Sequence, residues 1–401
     1  MHLTTEESKI LRGENGEGAR IAMELLVAVG EGFEAQKMIP ISRAHAASSG
    51  QEGDLFFVVM LAKGEARCKI PTTTNPVVNF EYFEKIMDIT EEEAEASVAR
   101  KVKYYYEQIG AVMSQSCIPY LAENIPQYGE HVAFSESSAT PYVNSVIGAF
   151  TNRESIQTAL AAGIIGKTPE FGLHFPENRK GTVLVKVETE MKDGYDYSLL
   201  GQYVGKKVGN GIPVFEGISK RPTIDQYVNL CAMMNVTGAI PMFHIPGFTV
   251  EAKTTDEAFD GNPRIDKITV TRQELKETED ELQTTNGKVD LIMLGCPHYN
   301  LDQLGDIAKL LRGKRIRSDI TFWINTSATT KIMAERAGYL KILDEAGTRV
   351  ITDTCIDMFC FNNLKGKTGM TDSPKCAYYR RFGNVRVGSM EECVATAIER
   401  A

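Results

Sequence analysis

Three cysteines of this 401-residue chain stand where a thiol can do chemistry. Each closes a short run that reads as a β-strand: Cys117 ends Ala111-Val112-Met113-Ser114-Gln115-Ser116, Cys296 follows Leu291-Ile292-Met293-Leu294-Gly295, and Cys355 ends Arg349-Val350-Ile351-Thr352-Asp353-Thr354. In open parallel sheets ligands gather beyond the carboxyl ends of strands, where the following helices begin. Three thiols from three such ends, far apart in sequence, can meet in space. Three thiolates can hold an iron–sulfur cluster and leave one iron without a protein ligand, free to act as a Lewis acid on a hydroxyl or carboxylate. Taken singly, each has a plainer reading, because free cysteine is among the most buried residue types. No Cys-x-x-Cys pair sharpens the signal, and Cys360 in Met358-Phe359-Cys360-Phe361 reads as a core residue. Residue types alone leave an iron site and inert buried thiols both open.

Composition narrows the function classes. Lys and Arg number 44 against 53 Asp and Glu, giving a formal charge of -9 and a pI near 5.4. That balance argues against nucleic-acid binding, which rests on phosphate contacts. The basic run from Arg312 to Arg317 reads as the solvated end of a helix. No charged start leads into an apolar h-region, and no segment approaches the roughly 20 apolar residues of a membrane span. A cytoplasmic protein without membrane contact is expected. With no secretory signature, the eight cysteines (68, 117, 231, 296, 355, 360, 376 and 393) do not read as a disulfide framework.

The elements that must position the cysteines are legible in outline. Thr4-x-x-Glu7 is a capping box opening a helix, Arg20 to Gly30 has helical apolar spacing, and Thr90-x-x-Glu93 starts a helix that runs to about Ile109 and stops at Gly110. Gly181 to Glu190 alternates like a half-exposed strand of an antiparallel or mixed region. The glycine-rich run from Gly201 to Gly217 reads as loop and short strand, and Ala239 to Phe243 as an apolar run ending at His244. From Val289 the pattern becomes regular: strand 289–295, helix 301–312, strand 320–325, helix 329–345, strand 349–354, as in consecutive right-handed βαβ units. The charged segment 251–288 reads as an interdomain connection or surface excursion. The expected division is an N-terminal α/β region 1–175 carrying Cys117, a mixed α/β middle region 176–285, and a C-terminal α/β region 286–401 carrying Cys296 and Cys355.

The residues around the cysteines carry a resemblance. Ser116-Cys117-Ile118-Pro119-Tyr120, Ser135-Glu136-Ser137-Ser138-Ala139, Asn144-Ser145-Val146-Ile147-Gly148-Ala149, Thr151-Asn152-Arg153-Glu154, Gly295-Cys296-Pro297-His298 and Asp353-Thr354-Cys355 together resemble the aconitase X family. The match extends from Gly13-Glu14-Asn15-Gly16 through Thr72-Thr73-Thr74-Asn75, Glu177-Asn178-Arg179-Lys180 and Phe243-His244 to Ser373-Pro374-Lys375. The resemblance implies several aconitase-like α/β domains with mostly parallel sheets around a central cleft. It implies the large subunit of a hydro-lyase that works with a small swivel-domain subunit, as a heterodimer or higher assembly.

Position by position, the resemblance implies that Cys117, Cys296 and Cys355 hold a 4Fe-4S cluster with one labile iron, with a 2Fe-2S or mononuclear iron site as alternatives. It implies Asn75, Glu136, Ser137, Asn152, Arg153, His244 and Lys375 as substrate-binding residues, Arg153 gripping a carboxylate in bidentate fashion. Each has a bland reading beside it: a capped helix start for Thr151-Asn152-Arg153, a plain turn for Glu136-Ser137-Ser138, a core histidine for His244. Tyr378-Tyr379 departs from the family pattern after Lys375. The stretch from Ala44 to Asp54 follows neither the archaeal nor the fused bacterial form, so His45 reads either as a specificity residue or as a surface histidine.

The implied reaction is loss of water from a small β-hydroxy carboxylic acid, with no catalytic base in this chain. The base is expected to be a serine alkoxide of the small subunit, so this chain alone should be inactive. Two substrates compete: (R)-5-phosphomevalonate and cis-3-hydroxy-L-proline. The chain stops near where a fused form would continue, which favours the first. From other classes come a non-catalytic iron–sulfur sensor and a structural protein with free thiols. The Asn, Arg, Glu and Ser motifs beside the cysteines argue against a sensor, which would not need them.

Overall fold

The computed structural model describes residues 1–47, 52–79, 82, 97–263, 266–355, 366–381 and 383–398. Local signals start its elements where the sequence announces them. Thr4 caps α1 (Thr5–Leu11): its hydroxyl accepts from the Glu7 N–H at 3.3 Å, and Glu7 accepts from the Thr4 N–H at 2.8 Å. Then come α2 (Glu17–Gly32), β1 (Met38–Pro40), β2 (Ala44–Ala46), α3 (Glu52–Lys63), β3 (Thr72–Thr74) and α4 (Val98–Gln108). The expected Thr90 capping box lies outside the described residues; α4 ends as anticipated before Gly110, at φ 75°. β4 (Ala133–Phe134) leads into α5 (Ala139–Tyr142), which widens into a π-type turn over Val143–Ile147, followed by α6 (Ile156–Ile165) and β5 (Lys167–Pro169). β2 lies between β3 and β4 in a parallel sheet, and β1 pairs with β5 antiparallel.

The middle of the chain corrects three sequence expectations. β6 (Val183–Val187) is not a half-exposed strand of an antiparallel or mixed region. Its pattern is buried on both faces, and it sits centrally between β7 (Pro213–Glu216) and β8 (Asp266–Val270) in a fully parallel sheet. The run from Gly201 begins not as a loop but as the continuation of α7 (Gly194–Val208), which packs on α8 (Ile224–Gly238); the expected loop and short strand follow only from Gly209, with the strand at β7. A Cβ at Gly201 would stand 2.7 Å from the Leu230 carbonyl oxygen, so its glycine serves close helix contact rather than a turn. Segment 251–288 is no excursion either. It supplies α9 (Thr255–Phe259), β8 and α10 (Arg272–Leu282), with Val270, Leu275 and Leu282 in the core.

The remainder alternates as expected: β9 (Leu291–Tyr299), α11 (Leu301–Leu311), β10 (Thr321–Thr326), α12 (Ala328–Arg336), α13 (Tyr339–Ala346), β11 (Arg349–Ile351), β12 (Thr368–Thr371), α14 (Pro374–Tyr379), β13 (Asn384–Val387) and α15 (Met390–Ala397). The single helix expected over 329–345 is broken at Gly338, whose φ of 77° no helix interior accommodates. The five strands form one parallel sheet in the order β11-β10-β9-β12-β13. The architecture is therefore α/β with mostly parallel sheets. Val77, Val78 and Ala99 share a buried cluster with Leu291, Met293, Trp323, Ile351 and Cys376, so the first and last sheets are joined by a common apolar floor. Among the described residues no helix is long and apolar enough to cross a membrane.

Candidate active site

The cysteines come from three strand ends, but only loosely as the sequence suggests. Ala111–Ser116 is not a regular strand; it runs along β3 through a bridge at Val112 and a bond from the Ser116 N–H to the Thr74 carbonyl at 3.2 Å. Cys296 does not follow β9 but interrupts it. Leu294 pairs with Ile324 and Tyr299 with Thr326, so the four residues Gly295–His298 stand opposite Asn325 alone. This bulge lifts the Gly-Cys-Pro-His run out of the ladder, as bulges beside active sites do. Only glycine fits at 295: φ is 90°, and a Cβ would lie 2.1 Å from the Asn325 carbonyl oxygen. The Cys296–Pro297 bond is cis. β11 ends at Ile351, and the chain reaches Cys355 through Asp353 at φ 60°.

His298 ties the three segments together. Its backbone N–H donates to the Cys117 sulfur at 3.2 Å, and its ring Nε2–H donates to the Thr354 carbonyl at 2.9 Å. The Cys355 N–H donates to Val77 at 3.1 Å, and Thr354 bridges Val77. The His298 Nδ1 is buried without a hydrogen-bond partner among the described residues. Cys117, Cys296 and Cys355 keep partial exposure, as does Cys68 against a separate apolar cluster, whereas Cys231, Cys376 and Cys393 are wholly buried in apolar clusters. Cys360 lies outside the described residues. Burial raises the Cys117 thiol well above its ordinary value, with the Glu136 carboxylate adding to the rise, so a thiolate there needs a cationic partner. No three His, Cys, Asp or Glu side chains among the described residues are arranged to hold a single metal ion. The donor types fit an iron–sulfur group in their chemistry: Cys117 and Cys296 are close enough to interact electrostatically, and His298, whose Nδ1 has no partner among the described residues, links the Cys117 segment to the one that leads into Cys355.

Beside Cys117 and Cys296 lies a buried ion pair. Lys375, on the first turn of α14, reaches Glu136, between β4 and α5, at 3.1 Å. The Lys375 ammonium also donates to Ser137 Oγ at 2.8 Å, and Ser137 in turn donates to Glu136 at 2.6 Å. Asn75 Nδ2 donates to the other Glu136 oxygen at 2.6 Å. Burial alone would raise the Glu136 carboxyl, but Lys375, Ser137 and Asn75 outweigh it and hold the group well below the usual carboxylate range. Burial works against charge on Lys375, yet Glu136 and the nearby thiols hold it protonated. An ammonium has three donors. The third N–H of Lys375 has no partner among the described residues and is available to an anionic ligand. Ser373 fixes this turn: its hydroxyl donates to the Cys296 carbonyl and accepts from the Cys376 N–H.

Of the residues expected at the site, Asn75, Glu136, Ser137 and Lys375 come together. His45 joins them differently than expected. It is a fully buried residue of β2, with Nε2 at 2.8 Å from Asn75 Oδ1 and Nδ1 at 2.8 Å from Thr73 Oγ1. It is not a surface histidine, and with both ring nitrogens engaged it has none left for a ligand. Asn152, Arg153 and His244 are not bonded to this group. Asn152 accepts from the Leu173 N–H and donates to the Phe171 carbonyl. His244 Nε2 donates to the Arg179 carbonyl at 2.8 Å. Arg153 is exposed, and its Nε donates to the neutral Asn235 amide, leaving both terminal nitrogens free of any carboxylate among the described residues. The sequence reading overlooked His298, Thr73 and Asn124; the first sits inside the quoted Gly-Cys-Pro-His motif and the second inside the threonine run before Asn75.

Comparison with known proteins follows this geometry. Sequence models of the aconitase X first, second and third domains match residues 1–177, 181–280 and 289–399. The chain is 38% identical over 389 residues to the phosphomevalonate dehydratase large subunit of Methanocaldococcus jannaschii, covering 94% of this chain and 95% of that one. It is 31% identical to the cis-3-hydroxy-L-proline dehydratase of Pseudomonas aeruginosa, covering 98% of this chain and 69% of that one. The crystal structure of Thermococcus kodakaraensis aconitase X in its holo-form superposes with a TM-score of 0.89 at 35% identity, covering 99% of this chain and 100% of that chain. With all three domain models matched in order along nearly its whole length, the chain belongs to the aconitase X family.

Proposed function

We propose that this chain is the large subunit of a hydro-lyase that removes water from (R)-5-phosphomevalonate. One observation carries the reading: the buried Glu136–Lys375 pair, with one uncommitted ammonium donor, stands beside Cys117 and Cys296 where three chain segments meet. Relatives named as phosphomevalonate dehydratase large subunits support the substrate, four of them at 36% to 38% identity. Cys117, Cys296 and Cys355 are proposed to hold a 4Fe-4S cluster. When bound, that group supplies a Lewis-acidic iron for the leaving hydroxyl.

The chain's own residues prepare the other end of the reaction. Lys375, held charged, donates its remaining N–H to an anionic substrate oxygen, while Asn75 and Ser137 keep Glu136 ionised and fixed. Arg153, free of acidic partners among the described residues, supplies a second cation, which suits a substrate with both a carboxylate and a phosphate. Asn152, the residue before it, anchors to the Phe171 carbonyl and the Leu173 N–H, and His244 holds the Arg179 carbonyl. The proton next to the carboxylate is taken by a group of a small swivel-domain partner, which completes and dries the site. The three domains are proposed to divide near residues 175 and 285.

The cis-3-hydroxy-L-proline reading rests on the relative at 31% identity. An anaerobic dehydration assay on the chain co-purified with its small partner, offered both substrates in parallel and followed by mass spectrometry, tests the proposal. Loss of water from 5-phosphomevalonate is expected; turnover of hydroxyproline alone would transfer the assignment to the second reading.

A further inference from the structure

The hydrogen bonds behind Glu136 run in a single direction, and that direction can be derived from the Glu136 end. A carboxylate only accepts, so the Asn75 amide must turn its NH2 to Glu136 Oε2 and its carbonyl to His45. His45 must then donate from Nε2. A neutral imidazole carries one N–H, so Nδ1 must accept, and the Thr73 hydroxyl is its donor at 2.8 Å. That hydroxyl has spent its single proton and can only accept in return, which it does from Asn124 Nδ2 at 2.9 Å. The far end agrees with this direction. Asn124 Nδ2 also donates to the Ala44 carbonyl at 2.8 Å, which cannot donate. Reversing any one link would face two lone pairs or two protons at a buried contact.

We propose that His45 is a positioning residue: as the Nε2–H tautomer, braced behind by the Thr73 hydroxyl, it locks the Asn75 amide so that Glu136 stays ionised and Lys375 stays aimed at the substrate. His45, Thr73 and Asn124 are at most 2% exposed, so none of the three reaches a ligand, and their effect passes through Asn75. Burial lowers the His45 ring to about 4 against the pull of Asn75 and Glu136, consistent with a neutral link. The inference rests on Glu136 and Lys375 belonging to the active site.

Two measurements test it. Nitrogen-15 NMR of histidine in the full-length chain at pH 7.5, assigned against His45→Gln, reads the tautomer. The N–H is expected on Nε2; an Nδ1–H or an imidazolium overturns the proposal. In the enzyme assembled with its small partner, His45→Phe keeps the ring but loses both nitrogens. It is expected to raise KM for 5-phosphomevalonate on the order of 10-fold with a smaller change in kcat. His45→Gln, whose amide can accept from Thr73 and donate to Asn75, is expected to keep KM within about threefold of the parent. Gln performing as badly as Phe overturns the positioning role even with the expected tautomer. A His45→Phe chain that does not fold leaves the decision to the Gln variant and the tautomer. An assembly that turns over no substrate sinks the proposed reaction, while the tautomer still decides the relay.

Discussion

At the scale of single residues, the site depends on charges that burial would otherwise forbid. Glu136 and Lys375 are 7% and 10% exposed at their side chains, and each is tolerable only because the other is present. Glu136→Gln strands a buried ammonium and is expected to destabilise the chain by about 3–5 kcal/mol in urea unfolding, with the double variant Glu136→Gln, Lys375→Met recovering much of the loss. Equal losses in single and double variants would contradict this. His45 titrates near 6.5 when unfolded and near 4 when folded. The folded state therefore binds its proton more weakly, so the stability it contributes is complete above pH 6.5. As pH falls through 6.5 towards 4, roughly 3 kcal/mol is lost. Comparing unfolding free energies at pH 7 and 4.5 isolates this: the parent should lose more than His45→Gln, and equal losses would refute it.

At the scale of elements, the strand ends were legible because apolar runs closed by glycine or a polar turn are local signals. What the local pattern could not carry was register. Cys296 sits inside β9, not after it, because the bulge opposite Asn325 exists only once β10 is paired beside it. The glycines of α7 look like loop in sequence and prove to be contact points, since their need arises from α8 at the opposite side of the interface. The charged helix α10 hides a buried stripe of Leu275 and Leu282 under many exposed carboxylates. The bulge makes its own prediction. Gly295→Ala must move the Asn325 carbonyl or leave positive φ, a strain of about 1–3 kcal/mol, and is expected to lower bound iron while leaving the rest of the sheet folded. Unchanged iron content by metal analysis would show that the bulge does not set the position of Cys296.

At the scale of the whole molecule, the first and last parallel sheets bring together segments far apart in sequence. Lys375 and Glu136 are separated by 239 residues, and no spacing rule links them. The motifs around Cys117, Cys296 and Cys355 were visible in the sequence, and so was the family. The ion pair, the relay through His45 and the role of His298 were not, because each joins residues that only the tertiary fold brings side by side. The purified chain without its small partner is expected to show no dehydratase activity, and adding the partner should restore it; full activity of the chain alone would place the base here. The central claim is that Cys117, Cys296 and Cys355, from three separate chain segments, hold one iron centre. Iron and sulfide content after anaerobic purification tests it most directly, in the parent and in Cys117→Ser, Cys296→Ser, Cys355→Ser and Cys231→Ser. The account predicts iron and sulfide in the parent and in Cys231→Ser, and depletion in each of the other three. A colourless parent, or any of those three variants retaining the full complement, would contradict it.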